Sequence, residues 1–242
     1  MIYAIGANKG GSGKTTTAAA LLQAAAAREQ HALAVDLDPQ TNLSYICGAD
    51  NNKAGAADLL DGAPAADLIQ TTAQNIDVIA GSADLQTETT THGSARRLYK
   101  ALQPLKKEYD IIAIDTPATA GELLYNALQA ADRLIIPLYP DVFNIRSLEL
   151  TTTAAELIQR TNQRLKIAGV ILTQYDARPT INRQLKDMLT NAAAEKGIPV
   201  IGTVRKSVVV PEAEALQRSL FEYAPKSKPA ADYMQIFERL EV

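Results

Sequence analysis

The stretch Asn8-Lys9-Gly10-Gly11-Ser12-Gly13-Lys14-Thr15-Thr16 constrains this chain more than any other segment. It follows an apolar run at residues 2–7 and precedes an alanine-rich helical pattern at 15–29. A strand, a glycine-rich loop and a helix in that order make a phosphate cradle. Gly10, Gly11 and Gly13 let backbone N–H groups converge on phosphate oxygens in conformations that a Cβ forbids. The helix beginning near Lys14 directs its unpaired amides and positive dipole end at the same anion. Lys14 adds a point charge for the β- and γ-phosphates, and the Thr15 hydroxyl is placed to ligate Mg2+. Ser12 and Thr16 complete the phosphate-binding stretch.

The rest of the 242 residues repeats this alternation. Apolar runs at 32–35, 76–80, 111–114, 134–138, 167–172 and 199–204 alternate with helical patterns at 94–108, 122–131, 147–164, 181–196 and 230–240. Most runs are continuously apolar, as strands buried on both faces of a parallel sheet are. The order predicts an α/β fold with a doubly wound, mostly parallel sheet flanked by helices and joined by right-handed crossovers. A hydrophobic fraction of 47% supports a sizeable core and excludes wholesale disorder. Asn51-Asn52, Gly55, Asp61-Gly62 and Pro64 interrupt two short helical pieces, so residues 48–75 read as a peripheral excursion within one domain spanning 1–242. The single cysteine, Cys47, excludes an intrachain disulfide framework or a multi-cysteine metal site, and fits a reducing cytoplasm. The start lacks a basic leader pattern, and the alanine-rich stretch is too short to span a bilayer, so a soluble chain is expected.

Two acidic loops follow buried strands. Asp36-Leu37-Asp38-Pro39-Gln40 leaves the run at 32–35, and Asp115-Thr116-Pro117 ends the run at 111–114. Carboxylates at the carboxyl ends of such strands face the crevice in which open α/β sheets bind ligands. Either aspartate loop alone reads more readily as a turn or strand cap. Their order after the phosphate loop favours ligand binding. Asp115 is positioned to hold Mg2+ through water, and residues 116–121 have the small-residue composition of a γ-phosphate-sensing switch.

Lys9-Gly10-Gly11-Ser12-Gly13-Lys14-Thr15, with Asn8 where the ordinary P-loop has glycine, resembles the deviant Walker A signature of the ParA/MinD ATPase family. The Asp36–Gln40 and Asp115 motifs, with Gly121-Glu122-Leu123-Leu124, extend the resemblance over most of residues 1–175; it weakens at 48–75 and after about 204. The resemblance implies a P-loop NTPase that hydrolyses ATP with Mg2+ and forms a homodimer on ATP binding. Lys9 would reach the partner's nucleotide, Lys14 would act on its own, and Asp38 would position the attacking water. Thr15, Asp36 and Asp115 would serve the metal, Asp36 also supporting the loop. Within the family, one cysteine per chain is unlike the cluster-bearing iron proteins, one such loop is unlike the arsenite-pump ATPases, and a net-acidic tail is unlike the lipid-binding helix of MinD. ParA/Soj-type partition ATPases are the branch it is most similar to.

That branch implies non-specific DNA binding, a nucleoid-associated cytoplasmic location, no membrane, and a centromere-binding ParB-type stimulator with a short basic N-terminal segment. The net charge of −3 hides a regional split: residues 160–206 hold nine basic residues against three acidic, a local +6 that leaves −9 elsewhere. Candidate phosphate-backbone contacts are Arg178, Arg183, Lys186, Lys206 and Arg218. A solvated helix face explains the same charges. Val209 stands where the family often has an arginine linked to DNA, so that contact is not carried over. Backbone at 204–211 is expected to hold the adenine. A ParA-like ATPase positioned on a protein scaffold and a MinD-like membrane-surface regulator are the alternatives. His31 is expected at the surface, His92 in a polar loop and Cys47 in packing; Tyr175 and Asp176 match a family loop without evident chemistry.

Overall fold

In the computed structural model, residues 1–86 and 96–240 are described. Strands β1 (Ile2–Ile5), β2 (Ala32–Asp36), β3 (Ile69–Thr71), β4 (Asp77–Ile79), β5 (Ile111–Asp115), β6 (Arg133–Leu138), β7 (Lys166–Tyr175) and β8 (Val200–Arg205) form one sheet in the order β3-β4-β2-β5-β1-β6-β7-β8. All neighbours are parallel except β3 and β4. β1 therefore lies between β5 and β6, where the winding direction reverses. Loops leaving strand ends here splay apart and open a crevice.

One helical layer holds α3 (Ala56–Asp61), α4 (Arg97–Leu102), α5 (Glu122–Ala130), α6 (Phe143–Gln159) and α7 (Thr180–Glu195). The other holds α1 (Lys14–Ala26), α2 (Asn42–Cys47), α8 (Val209–Ala215), α9 (Leu220–Tyr223) and α10 (Lys228–Leu240). Helix α1 is buried along most of its length, and its alanines let it lie close against the sheet. Tyr233, Ile236 and Phe237 of α10 pack into the same layer, and Arg205 on β8 binds Asp232 through its guanidinium and its backbone N–H. Among the described residues no helix is long and apolar enough to cross a membrane.

The structure departs from the sequence expectations at element ends. The helical pattern at 94–108 divides into α4 and a 3₁₀ turn at Pro104–Lys107, because a proline cannot continue an α-helical ladder; its first two residues lie outside the described ones. Helix α6 starts before residue 147, at Phe143, whose N–H donates to the Asp141 carboxylate at 2.7 Å. The excursion at 48–75 is less peripheral than expected: Leu59, Leu60 and Leu68 are buried in the core, and β3 extends the sheet edge.

Candidate functional site

The phosphate loop joins β1 to α1 at the reversal point. Gly13 stands at φ +89°, and a Cβ there would lie 3.2 Å from Thr173 Cγ2. The close approach is fixed by two bonds from the end of β7: Thr173 Oγ1 donates to the Ser12 carbonyl at 2.8 Å, and Gln174 Nε2 donates to the Gly11 carbonyl at 3.1 Å. Asn8 also has a structural role. Its N–H donates to Thr151 Oγ1 at 3.1 Å and its Oδ1 accepts the Ala120 N–H at 3.2 Å, tying the phosphate loop to the segment expected to act as a switch.

Lys14 is buried, and its Nζ donates to the Lys9 carbonyl at 3.2 Å. Burial lowers its pKa, while Asp115 and Asp38 pull in the opposite direction. Lys9 points elsewhere: its Nζ lies 3.0 Å from Asp141 Oδ1, 4.6 Å from the Tyr139 ring centroid and 5.5 Å from that of Phe143. Burial works against this ammonium, but Tyr139 and Asp141 outweigh it and hold its pKa above the ordinary value.

Asp36 and Asp115 are register partners at the ends of adjacent β2 and β5, both fully buried. Burial, reinforced by Asp36, holds the Asp115 pKa well above the usual carboxylate range; Thr15 and Lys14 oppose this. Asp115 Oδ1 accepts the Thr116 N–H at 3.1 Å, and its Oδ2 has no hydrogen-bond partner among the described residues. Asp36 differs. Its Oδ2 accepts the Ser44 N–H at 2.9 Å and the Ser44 hydroxyl at 2.7 Å, and its Oδ1 accepts the Asp38 N–H at 3.1 Å. Burial raises its pKa to about 6. Asp36 thus braces the start of the Asp38 loop through three hydrogen bonds, at a strand end beside Asp115. Asp38 sits half-buried beyond it, its Oδ1 accepting the Gln40 N–H at 3.0 Å.

The donor set fits Mg2+. The Thr15 hydroxyl adjoins the buried Asp115 carboxylate, whose Oδ2 has no other partner among the described residues, and Mg2+ takes one or two protein ligands, completing its shell with water and phosphate. No cluster of three or more His, Cys, Asp or Glu side chains suited to an ion occurs among the described residues. Beside the loop lies a cavity of about 250 Å³, bounded by Gly13 and Thr16 on one side and by Val204–Ser207, Val210 and Pro211 on the other. This is the segment expected to hold a base.

The five basic candidates do not form one patch. Arg178 is held by Asp176 in a bidentate pair, with Nη2–Oδ2 at 2.6 Å and Nε–Oδ1 at 2.9 Å. Lys186 Nζ lies 4.9 Å over the Tyr175 ring, Arg183 Nη2 is 3.4 Å from Thr180 Oγ1, and exposed Lys206 follows β8. These four cluster where β7, α7 and β8 meet. Arg218 lies in the other helical layer, stacked over Tyr223 at 5.8 Å and beside Gln23 of α1. His31 is exposed and Cys47 buried, its thiol pushed up to about 12; His92 lies outside the described residues.

Sequence reading missed Ser44, Thr173, Tyr139, Asp141 and Phe143. Thr173, Tyr139, Asp141 and Phe143 reach the site from more than a hundred residues away, and Ser44 reaches Asp36 from the next helix, with no motif spacing to flag any of them.

Comparison with known proteins agrees with this geometry. A family model described as an AAA domain matches residues 1–167. The chain is 32% identical to the sporulation initiation inhibitor protein Soj of Bacillus subtilis over 97% of this chain and 96% of that protein. It is 33% identical to the chromosome partitioning protein ParA of Myxococcus xanthus over 99% and 87%. It superposes on the septum site-determining protein MinD of Pyrococcus horikoshii, complexed with Mg-ADP, with a TM-score of 0.81, 25% identity and coverage of 99% and 95%.

Proposed function

The chain belongs to the ParA/MinD family of P-loop ATPases, and from that premise we propose that it is a ParA-type partition ATPase working as an ATP-dependent dimer on DNA. ATP and Mg2+ are its cofactors. The amides of Gly10–Thr16 with Lys14 would cradle the phosphates, Thr15 and Asp115 would hold the metal, and the cavity beside Val204–Pro211 would take the base. Asp38, presented by the Asp36–Ser44 bracket, orients water for attack on the γ-phosphate.

One observation carries the dimer reading. Lys9 and Lys14 share a loop, yet Lys14 turns into the cradle while Lys9 turns out to Asp141 at the rim. A cation outside its own cradle serves a nucleotide in a second subunit, where it stabilises charge only after two chains close over ATP. The ATP dimer then pairs two copies of the basic surface formed by Arg183, Lys186 and Lys206, which suits non-specific contact with the DNA backbone. A ParB-type protein with a basic N-terminal segment would stimulate hydrolysis and release the DNA, giving a nucleoid-associated protein of the cytoplasm.

The test is retention on random-sequence duplex DNA. Retention is expected with ATP and Mg2+, absent with ADP, and lost steeply with added salt. Lys206→Ala and Arg183→Ala should each weaken it, whereas Arg218→Ala should not. Retention that ignores the nucleotide, or none at any salt, overturns the partition reading and favours action on a protein scaffold.

A further inference from the structure

Lys9 is not free in solvent while it waits for a partner. Asp141 meets its ammonium at 3.0 Å, and the rings of Tyr139 and Phe143 lie 4.6 and 5.5 Å from it. The carboxylate is itself fixed: Oδ1 accepts the Phe143 N–H at 2.7 Å and Oδ2 accepts the Tyr139 hydroxyl at 3.1 Å. An anion held this way beside two aromatic rings forms a ready-made receptor for an ammonium group. We propose that Asp141 is a positioning residue that latches Lys9 in cis in the nucleotide-free protomer, and that opening this latch sets the ATP requirement for dimerisation. The proposal rests on the reading of Lys9 as the residue that acts in trans.

A link from phosphate to latch runs through Lys14, whose Nζ donates to the Lys9 carbonyl at 3.2 Å. Phosphate competes for that ammonium. As Lys14 turns to the phosphate, the Lys9 backbone loses its anchor, and the side chain is freed to leave Asp141. The ATP-loaded loop thus releases Lys9 while the empty loop keeps it.

Magnitude follows from counting protomers. A partly exposed ion pair reinforced by cation–π contact favours the latched state by about fivefold. Both protomers must open, so the factor enters the dimerisation equilibrium twice, about 25-fold in all.

Asp141→Asn keeps an acceptor for the Phe143 N–H and removes the charge. Two measurements on the full chain test it. In nucleotide-free protein, labelling of Lys9 by an amine-acylating reagent, mapped by mass spectrometry, should accelerate severalfold. In sedimentation at rising ATP, the variant should dimerise roughly tenfold or more tightly. Unchanged labelling, or unchanged or weaker dimerisation, overturns the proposal. Lys9→Gln separates this from the parent reading: if that variant dimerises and hydrolyses ATP normally, the trans role fails, whatever Asp141 does. In the Lys9→Gln background, Asp141→Asn should leave dimerisation unchanged; an effect that persists there places Asp141 in some other role and sinks the latch.

Discussion

Asp115→Asn should stabilise the empty protein while disabling it. Asp115 is fully buried, its Oδ2 has no partner among the described residues, and Asp36 beside it is also a buried carboxylate. Lys14 is the cation that opposes them, and it is shared with Asp38. An unsatisfied buried acceptor costs about 1–3 kcal/mol, and more when charged. Neutralising it should therefore gain about 2 kcal/mol, which for a chain of this length raises the melting temperature by about 4–8 °C. The gain has a pH signature. Burial raises the Asp115 pKa in the folded state, so the folded protein binds more protons than the unfolded chain between 3.8, the ordinary carboxylate value, and the folded value. The stability of the parent consequently falls as pH rises through that window. The advantage of the variant should vanish as the pH drops toward 4 and be full above the folded value. Added Mg-ATP should reverse the ranking, because a ligand at a hundred times its dissociation constant stabilises the parent by about 2.7 kcal/mol and the variant, lacking the metal ligand, by much less. Calorimetry of metal-free protein at pH 5 and pH 8, with and without Mg-ATP, reads all four states. A variant that melts below the parent at pH 8 without nucleotide, or that shifts equally with Mg-ATP, refutes the view that Asp115 is kept destabilised for the metal.

Two further substitutions probe the loop and the water. Gly13→Ala forces an L side chain to φ +89° against Thr173, at a cost of about 1–2 kcal/mol for the backbone alone. Because Thr173 also anchors Ser12, the loop should distort and ATP affinity should drop at least about tenfold in titration calorimetry, with the fold retained by circular dichroism. Asp38→Ala should still form the ATP dimer but lose at least about a hundredfold in phosphate release; turnover at the parent rate would remove Asp38 from its role.

The parts legible in the sequence share one property: their geometry is local. The phosphate loop is contiguous, so the order of glycines, lysines and threonines specifies its shape without reference to the rest of the chain. The acidic strand ends are legible because continuous apolar runs mark buried parallel strands, and such strands deliver their next residues to one edge. Strand β3 escaped because Ile69-Gln70-Thr71 is short, polar and at the sheet edge, where pairing replaces burial as its support. Helix α8 escaped because Pro211 sits in its first turn, where proline is tolerated but reads as a breaker.

The remaining misses have a different cause. Asp141 is 132 positions from Lys9, and Thr173 is 161 from Ser12; no periodicity connects them. Asp36 shows the limit even for a contiguous motif. Asp36 and Asp38 stand two residues apart, but only Asp36 lies on the strand, and the two carboxylates meet different surroundings. Asp36 is fully buried and bonded by Ser44, while Asp38 stays half-buried just past the strand end. The motif marks where the carboxylates are; burial, which no spacing encodes, sets their surroundings apart.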